Sequence, residues 1–256
     1  MFNFFKKKDA NNMDRTLVWA HRGASGYAPE NTLLAFEKAA EMNADGVELD
    51  VQLTKDGVLV VTHDEKVNRV TDREGFVKDY TFEELREMNF NAGKKKFGKV
   101  QIPTLEEVYK LLKPSGLTIN VEIKSGVFFY DQIEEKTLEL TRKMGMEDRV
   151  LYSSFNHTTV RKMKELDPSV KTGLLYADGI IDVASYAKEK TNADALHPAL
   201  YNIQYPGFFE EAKKNGLDVN VWTVNEKEYM EMCCKAKVNA IITNYPDKAL
   251  EVAKKF

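Results

Sequence analysis

A chain of 256 residues, 43% hydrophobic and 30% charged, carries enough apolar material for a sizeable core, and it suits either one large barrel or two modest domains. The formal net charge is only −3, and Lys and Arg are scattered without a stripe or interleaved aromatics, which excludes the electrostatic footprint of a nucleic-acid binder. No run approaches the roughly 18 apolar residues of a membrane span.

The chain opens with Met1-Phe2-Asn3-Phe4-Phe5-Lys6-Lys7-Lys8, which places charge after a short apolar stretch, the reverse of a signal peptide's order. A flexible tail over residues 1–14 and a cytoplasmic protein are the expectations. From Leu17 onward, short β-branched runs alternate with amphipathic helical stretches, the pattern of a parallel sheet with helical crossovers. Eight strands are predicted at Leu17–Ala20, Gly46–Leu53, Leu117–Ile123, Val150–Ser153, Thr172–Tyr176, Ala193–Leu196, Asp218–Val224 and Ala240–Thr243. Helices with apolar residues at i, i+3 or i+4 are predicted at Leu33–Met42, Gln132–Met144, Thr158–Leu166, Asp182–Lys190, Phe208–Asn215, Glu226–Lys237 and Asp247–Lys255.

Val58–Thr62 follows the turn Lys55-Asp56-Gly57 so closely that it is expected to fold back as a hairpin on the second strand. Residues 65–101 hold no barrel-strand candidate and read as a small insertion over the barrel mouth. Within them, Thr81-Phe82-Glu83-Glu84 is a capping box ahead of a short helix, and a second box, Thr104-Leu105-Glu106-Glu107, returns the chain to the repeat. Cys233 and Cys234 are neighbours in a predicted helix, where their side chains diverge and cannot easily bridge, so they read as packing residues. No Gly-x-Gly-x-x-Gly or Walker-type loop supports a two-domain doubly wound fold. The prediction is an α/β fold, a single (β/α)8 TIM barrel over residues 15–256, with functional groups at the C-terminal ends of its strands.

The first strand ends in Ala20-His21-Arg22-Gly23, placing His21 and Arg22 at the mouth. The following Pro29-Glu30-Asn31-Thr32 has the composition of an ordinary helix start, with Asn31 or Thr32 as cap. In the second strand the period of two sends Val47, Leu49 and Val51 to one face and Glu48 and Asp50 to the other. The apolar face belongs under the helices, so both carboxylates point into the barrel, where unpaired charge is costly unless a cation or basic side chains offset it. Val121-Glu122-Ile123-Lys124 repeats the pattern, adding Glu122 and Lys124 inward. Three inward carboxylates on neighbouring strands suit one hard divalent cation, Mg²⁺ or Ca²⁺. The competing reading is a buried ion-pair network with Arg22 and Lys124, which leaves surplus negative charge. The hairpin ends in Thr62-His63-Asp64 and brings a second imidazole to the same mouth. Two histidines, a metal and cations suit phosphoryl chemistry, because imidazoles move protons near neutral pH. Asn220 and Trp222 share an inward face of the seventh strand, where the indole can pack against a small polyol. His157, at a helix start, suggests a surface role; His197 ends the sixth strand without a partner signal.

His21-Arg22-Gly23, Pro29-Glu30-Asn31-Thr32, Glu48-Leu49-Asp50-Val51, Thr54-Lys55-Asp56-Gly57, His63-Asp64, Glu122-Ile123-Lys124, Trp222-Thr223-Val224 and Ile242-Thr243-Asn244-Tyr245-Pro246 together resemble the ordered signature of the glycerophosphodiester phosphodiesterase family. The resemblance implies hydrolysis of a glycerophosphodiester to glycerol 3-phosphate and an alcohol, with His21 and His63 as the acid-base pair. It also implies a divalent ion on Glu48, Asp50 and Glu122, Arg22 and Lys124 near the phosphate, and a cap formed by the inserted segment. Attack by the glycerol 2-hydroxyl through a cyclic phosphate is part of the same implication. Asn244 departs from the pattern, since relatives commonly carry Asp there, and Phe155 matches a position near the pocket.

The alternatives are another barrel phosphodiesterase of the phospholipase C-like kind and a non-catalytic barrel that binds a phospho-ligand. Retention of both histidines beside the acids argues against the second. A membrane-acting relative would show a secretory signal or an apolar rim, and neither is visible in the sequence. The expected partner is therefore a small-molecule glycerophosphodiester, with no nucleic acid and no stable membrane insertion.

Overall fold

In the computed structural model, which describes residues 15–256, eight parallel strands close into a barrel and a ninth pairs antiparallel at its rim. The tail expected over residues 1–14 lies outside the described residues. The strands are β1 (Leu17–His21), β2 (Gly46–Leu53), β3 (Leu59–Val61), β4 (Thr118–Ile123), β5 (Val150–Ser154), β6 (Lys171–Tyr176), β7 (Ala195–Pro198), β8 (Asp218–Val221) and β9 (Ala240–Thr243). The helices are α1 (Leu33–Glu41), α2 (Phe82–Glu87), α3 (Leu105–Leu112), α4 (Ile133–Met144), α5 (His157–Leu166), α6 (Val183–Tyr186), α7 (Phe208–Lys214), α8 (Lys227–Lys235) and α9 (Pro246–Ala253). The hydrogen-bonded order is β1-β9-β8-β7-β6-β5-β4-β2, and β1 closes on β2.

The register explains where the hairpin lands. β1 ends with His21 opposite Glu48, and the same edge of β2 is then taken by β3, with Val51 opposite Val61 and Leu53 opposite Leu59. Alternation does the rest: Val47, Leu49, Val51, Val121 and Ile123 are buried against Phe36 of α1 and Leu105, Val108 and Tyr109 of α3. Each such side chain contributes about 1.5–3 kcal/mol by burial. That packing fixes the opposite parity, Glu48, Asp50 and Glu122, toward the interior.

The inserted segment folds around a small cluster of its own, in which Val67, Val70, Val77, Leu85, Met88 and Phe90 pack on Val60 and Ile102. Both capping boxes form, at Thr81 and Thr104. Cys233 and Cys234 are free and buried on α8. Among the described residues no helix is long and apolar enough to cross a membrane.

Among the boundaries that differ from expectation, three have a visible physical reason. β7 starts at Ala195 because Ala193 N–H closes the preceding helical stretch on Ala187, and the Asp194 carboxylate accepts from Thr172 N–H and pairs with Lys164. β8 ends at Val221 because Trp222 N–H turns to Pro198 O and Val224 N–H to Ile242 O. The helix expected over Asp182–Lys190 begins as α6 and widens into a π-helical stretch, Ala187–Thr191, where the Thr191 hydroxyl donates to Ala187 O.

Candidate active site

Glu48, Asp50 and Glu122 are buried at the mouth end of β2 and β4, where Asp50 lies opposite Glu122, and each offers an oxygen within 4.8 Å of the others. Asp50 Oδ2 accepts from Asn31 Nδ2 at 2.8 Å, whereas Oδ1 has no hydrogen-bond partner among the described residues. Glu48 Oε2 accepts from Arg22 N–H at 2.9 Å. Lys124 Nζ pairs with Glu122 Oε1 at 2.9 Å, while Arg22 Nε stands 3.6 Å from Asp50 Oδ2 and Arg22 Nη1 donates to Glu30 Oε1.

Electrostatics follow from that crowding. Burial, then the negative charges of Asp50 and Glu122, push Glu48 well above the usual carboxylate range. Glu122 is raised by burial and by Asp50. Burial acts the same way on Asp50, but His63, Arg22 and Lys124 outweigh it and hold that carboxyl low. Two cations therefore do not cancel three acids, one of which keeps an orphaned oxygen. An all-oxygen cluster of this kind fits a hard divalent cation.

The two imidazoles are held by different means. His21 Nδ1–H donates to Asn244 Oδ1 at 2.7 Å, which leaves Nε2 facing the acids, 3.9 Å from Glu48 Oε2. Burial, followed by the charge of Arg22, lowers its pKa to about 4. His63 sits just beyond β3, where Gln52 Nε2 reaches the carbonyls of Thr62, His63 and Asp64 at 3.1, 3.1 and 2.8 Å. Tyr130 Oη in turn donates to Gln52 Oε1 at 3.0 Å. His63 Nδ1 is 2.6 Å from Asp64 Oδ1, and Nε2 lies 3.4 Å from Lys124 Nζ. Arg69, from the inserted segment, donates to Asp64 Oδ2 and bidentately to Glu30. A charged chain thus runs Arg22–Glu30–Arg69–Asp64–His63 around the mouth.

Both imidazoles, Arg22, Glu48 and Glu122 line a narrow slot of about 60 Å³ whose other wall is Phe155, Leu175 and Trp222. Phe155 meets Trp222 edge to face at 5.4 Å, and Trp222 Nε1 donates to His197 O at 2.7 Å. The structure therefore brings His21, Arg22, Glu48, Asp50, His63, Glu122, Lys124 and Trp222 to one mouth. His197 is sealed inside the barrel against Asn220, and His157 bonds Leu175 O and Tyr186 Oη.

Residues 21–248 match the Glycerophosphoryl diester phosphodiesterase family. The chain belongs to this family. It is 47% identical to a glycerophosphodiester phosphodiesterase of Caldanaerobacter subterraneus subsp. tengcongensis, over 94% of this chain and 99% of that one. A glycerophosphodiester phosphodiesterase of Bacillus altitudinis is 40% identical over 93% of this chain and 98% of its own length. An Oleispira antarctica phosphodiesterase, solved in complex with the product sn-glycerol-3-phosphate, has a TM-score of 0.83 at 27% identity, covering 94% of this chain and 97% of that one.

Five residues of this phosphodiesterase's mouth were given no role from the sequence. Glu30 and Asn31 resemble helix-start residues, yet Glu30 bridges Arg22 to Arg69 and Asn31, at φ 55°, reaches Asp50. Gln52, Asp64 and Arg69 orient His63 through contacts that only the hairpin and the inserted segment create.

Proposed function

We propose that this phosphodiesterase hydrolyses glycerophosphodiesters to glycerol 3-phosphate and an alcohol, with His21 as base, His63 as acid, and Mg²⁺ or Ca²⁺ held by Glu48, Asp50 and Glu122. One observation carries the reading: two imidazoles line a single slot with Glu48 and Glu122, and Asp50 stands within 4.8 Å of both acids. The product bound by the Oleispira antarctica relative supports the substrate class.

Arg22 and Lys124 are the groups that hold phosphate oxygens, and Trp222 packs on the glycerol carbons. When bound, a divalent cation supplies positive charge that offsets repulsion between the acids and the anionic substrate. Burial and the charge of Arg22 keep His21 unprotonated, and Asn244, by accepting from Nδ1–H, leaves Nε2 as the atom that accepts a proton. Asp64 places a carboxylate on His63 Nδ1, which orients the ring and leaves Nε2 as the atom that donates a proton. His21 takes the proton of the glycerol 2-hydroxyl; its oxygen bonds to phosphorus as the bond to the alcohol oxygen breaks, and His63 protonates that oxygen. Water then opens the cyclic phosphate with the two roles reversed. No protein nucleophile is needed: Ser153 donates to Asn120 and Ser154 to Ile123 O, and both cysteines are on α8. The inserted segment acts as a cap whose Arg69 fixes the acid.

The test is a panel of glycerophosphodiesters with different alcohols, assayed for glycerol 3-phosphate with and without chelator, together with an analogue lacking the 2-hydroxyl. Chelation should abolish turnover, and the analogue should bind but resist cleavage. Full turnover after chelation would remove the metal, and normal cleavage of the analogue would remove the cyclic route.

A further inference from the structure

Glu48, Asp50 and Gln52 form one row, because alternation along β2 sends every second side chain into the barrel. The first two are crowded acids; the third, nearest the rim, is uncharged and fully buried. A buried amide has to satisfy both its oxygen and its NH2, and in Gln52 the two ends have different partners. Nε2 reaches the carbonyls of Thr62, His63 and Asp64, three consecutive peptides around the proposed acid. Oε1 accepts from Tyr130 Oη at 3.0 Å, its sole donor among the described residues.

Tyr130 is 7% exposed and closes the loop between β4 and α4, where its own carbonyl accepts from Ile133 N–H at the start of α4. Its ring lies 6.4 Å from that of Phe128, which meets Phe76 edge to face at 5.2 Å. Burial, then the charges of Glu65 and Asp79, push the phenol above the usual tyrosine range, so the hydroxyl remains a donor. The same loop begins at Lys124, whose Nζ is 3.4 Å from His63 Nε2. One loop therefore acts on His63 at both ends, on the ring through Lys124 and on the main chain through Tyr130 and Gln52. Asp64 does not duplicate this second contact. It follows His63 in sequence, so its bond to Nδ1 turns the ring but moves with the segment. Placing the segment against the slot takes groups from β2, which are the Gln52 amide and Asp50 O, the acceptor of Thr62 N–H.

We propose that Tyr130 is a positioning residue for departure of the alcohol: its hydroxyl holds the Gln52 amide against the main chain of residues 62–64 and so sets the reach of His63 Nε2 to the alcohol oxygen. The inference rests on the assignment of His63 as acid. Without the hydroxyl, Oε1 is left buried and unpaired, a cost the amide relieves by turning away from the three carbonyls. His21 is held by Asn244, so the loss falls on proton donation.

The experiment follows alcohol release in a single turnover from two diesters, glycerophosphocholine and glycerophospho-4-nitrophenol. Choline departs as a strongly basic alkoxide unless it is protonated, whereas nitrophenolate departs without a proton. Tyr130→Phe should slow choline release about tenfold and leave nitrophenol release within about twofold. His63→Ala, the reference, should show the same selectivity with a larger loss. Gln52→Leu should lose at least as much as Tyr130→Phe, and combining the two should cause no further loss, because Tyr130 acts through Gln52. Equal slowing of both diesters by Tyr130→Phe, or no slowing of either, would overturn the proposal and leave His63 as acid, provided His63→Ala is selective. A further loss in the double variant would overturn it too. Equal slowing of both diesters by His63→Ala would refute the acid assignment and the positioning role with it. If Gln52→Leu does not fold, Tyr130→Phe and His63→Ala still decide the matter.

Discussion

Glu48→Gln distinguishes a cation site from an ion-pair network. Carboxylate oxygens within 4.8 Å of one another repel by at least about 3 kcal/mol per ionised pair at an effective dielectric constant of about 20. Glu48 faces two such neighbours, so ionising it in the cation-free protein costs about 7 kcal/mol before the attraction of Arg22 is counted. Its carboxyl is accordingly pushed well above the usual carboxylate range, toward the protonated form. Glutamine has the shape of a protonated glutamate, and it should change the stability of cation-free protein by no more than about 1 kcal/mol. A bound cation must displace that proton, so affinity should strengthen as pH rises. In the wild type, cation at about 100 times Kd adds about 2.7 kcal/mol, or roughly 5–10 °C in Tm for a chain of this size. The variant should lose most of that increment. The assay is thermal unfolding followed by circular dichroism, in chelator and in Mg²⁺ or Ca²⁺. A loss of several kcal/mol in chelator would mean that Glu48 is ionised and held by Arg22 and His21; an undiminished cation shift would mean that it is not a ligand.

His21→Ala and His63→Ala should each lower kcat by about 10²–10⁴, and the double variant should fall well short of the product of the two losses; wild-type kcat in either removes that imidazole from the chemistry. Glu122→Gln should weaken cation affinity, measured by calorimetry, while the protein stays folded, and an unchanged Kd would count against Glu122 as a ligand. Arg69→Ala should barely alter Tm, because Arg69 is about half exposed, but should lower kcat about tenfold by loosening Asp64 and His63; equal kcat would show that Asp64 holds the ring unaided. Burial lowers His197 to about 3 from 6.5, so the neutral form belongs to the native state, and its stabilisation is complete above pH 6.5 and drains away as pH falls toward 3. Denaturant unfolding should therefore show stability falling between pH 6.5 and 4 by about 1.4 kcal/mol per pH unit more steeply in wild type than in His197→Gln, and parallel slopes would refute it.

The parts of this site legible in sequence are those set by short-range rules. Glu48 and Asp50 could be placed inside the barrel because Val47, Leu49 and Val51 had to face the helices, and the same parity placed Glu122. The hairpin after Gly57 foretold the approach of His63 because a short turn leaves only one strand to pair with. Nothing comparable marks Glu30 or Asn31, since helix-start composition is satisfied whether or not the side chains also reach Arg22 and Asp50. Arg69 and Glu30 are 39 positions apart, and their pairing depends on how the inserted segment folds on Val60 and Ile102. The exposed apolar side chains Val127, Ile181 and Tyr205 could not be grouped from sequence for a related reason, as they come from the separate loops after β4, β6 and β7.

This division has a mechanical consequence. His21 ends a strand paired on both sides and is oriented by Asn244 at the end of the neighbouring β9, so its position is tied to the barrel itself. His63 lies past a three-residue strand and takes its orientation from Gln52, Asp64 and the half-exposed Arg69. Local opening of the inserted segment would release Arg69 and loosen His63 while leaving His21 and the carboxylates in place. The proposed acid is thus the member of the pair whose geometry depends on elements outside the barrel, and substitutions in that segment should act on proton donation before they act on cation binding.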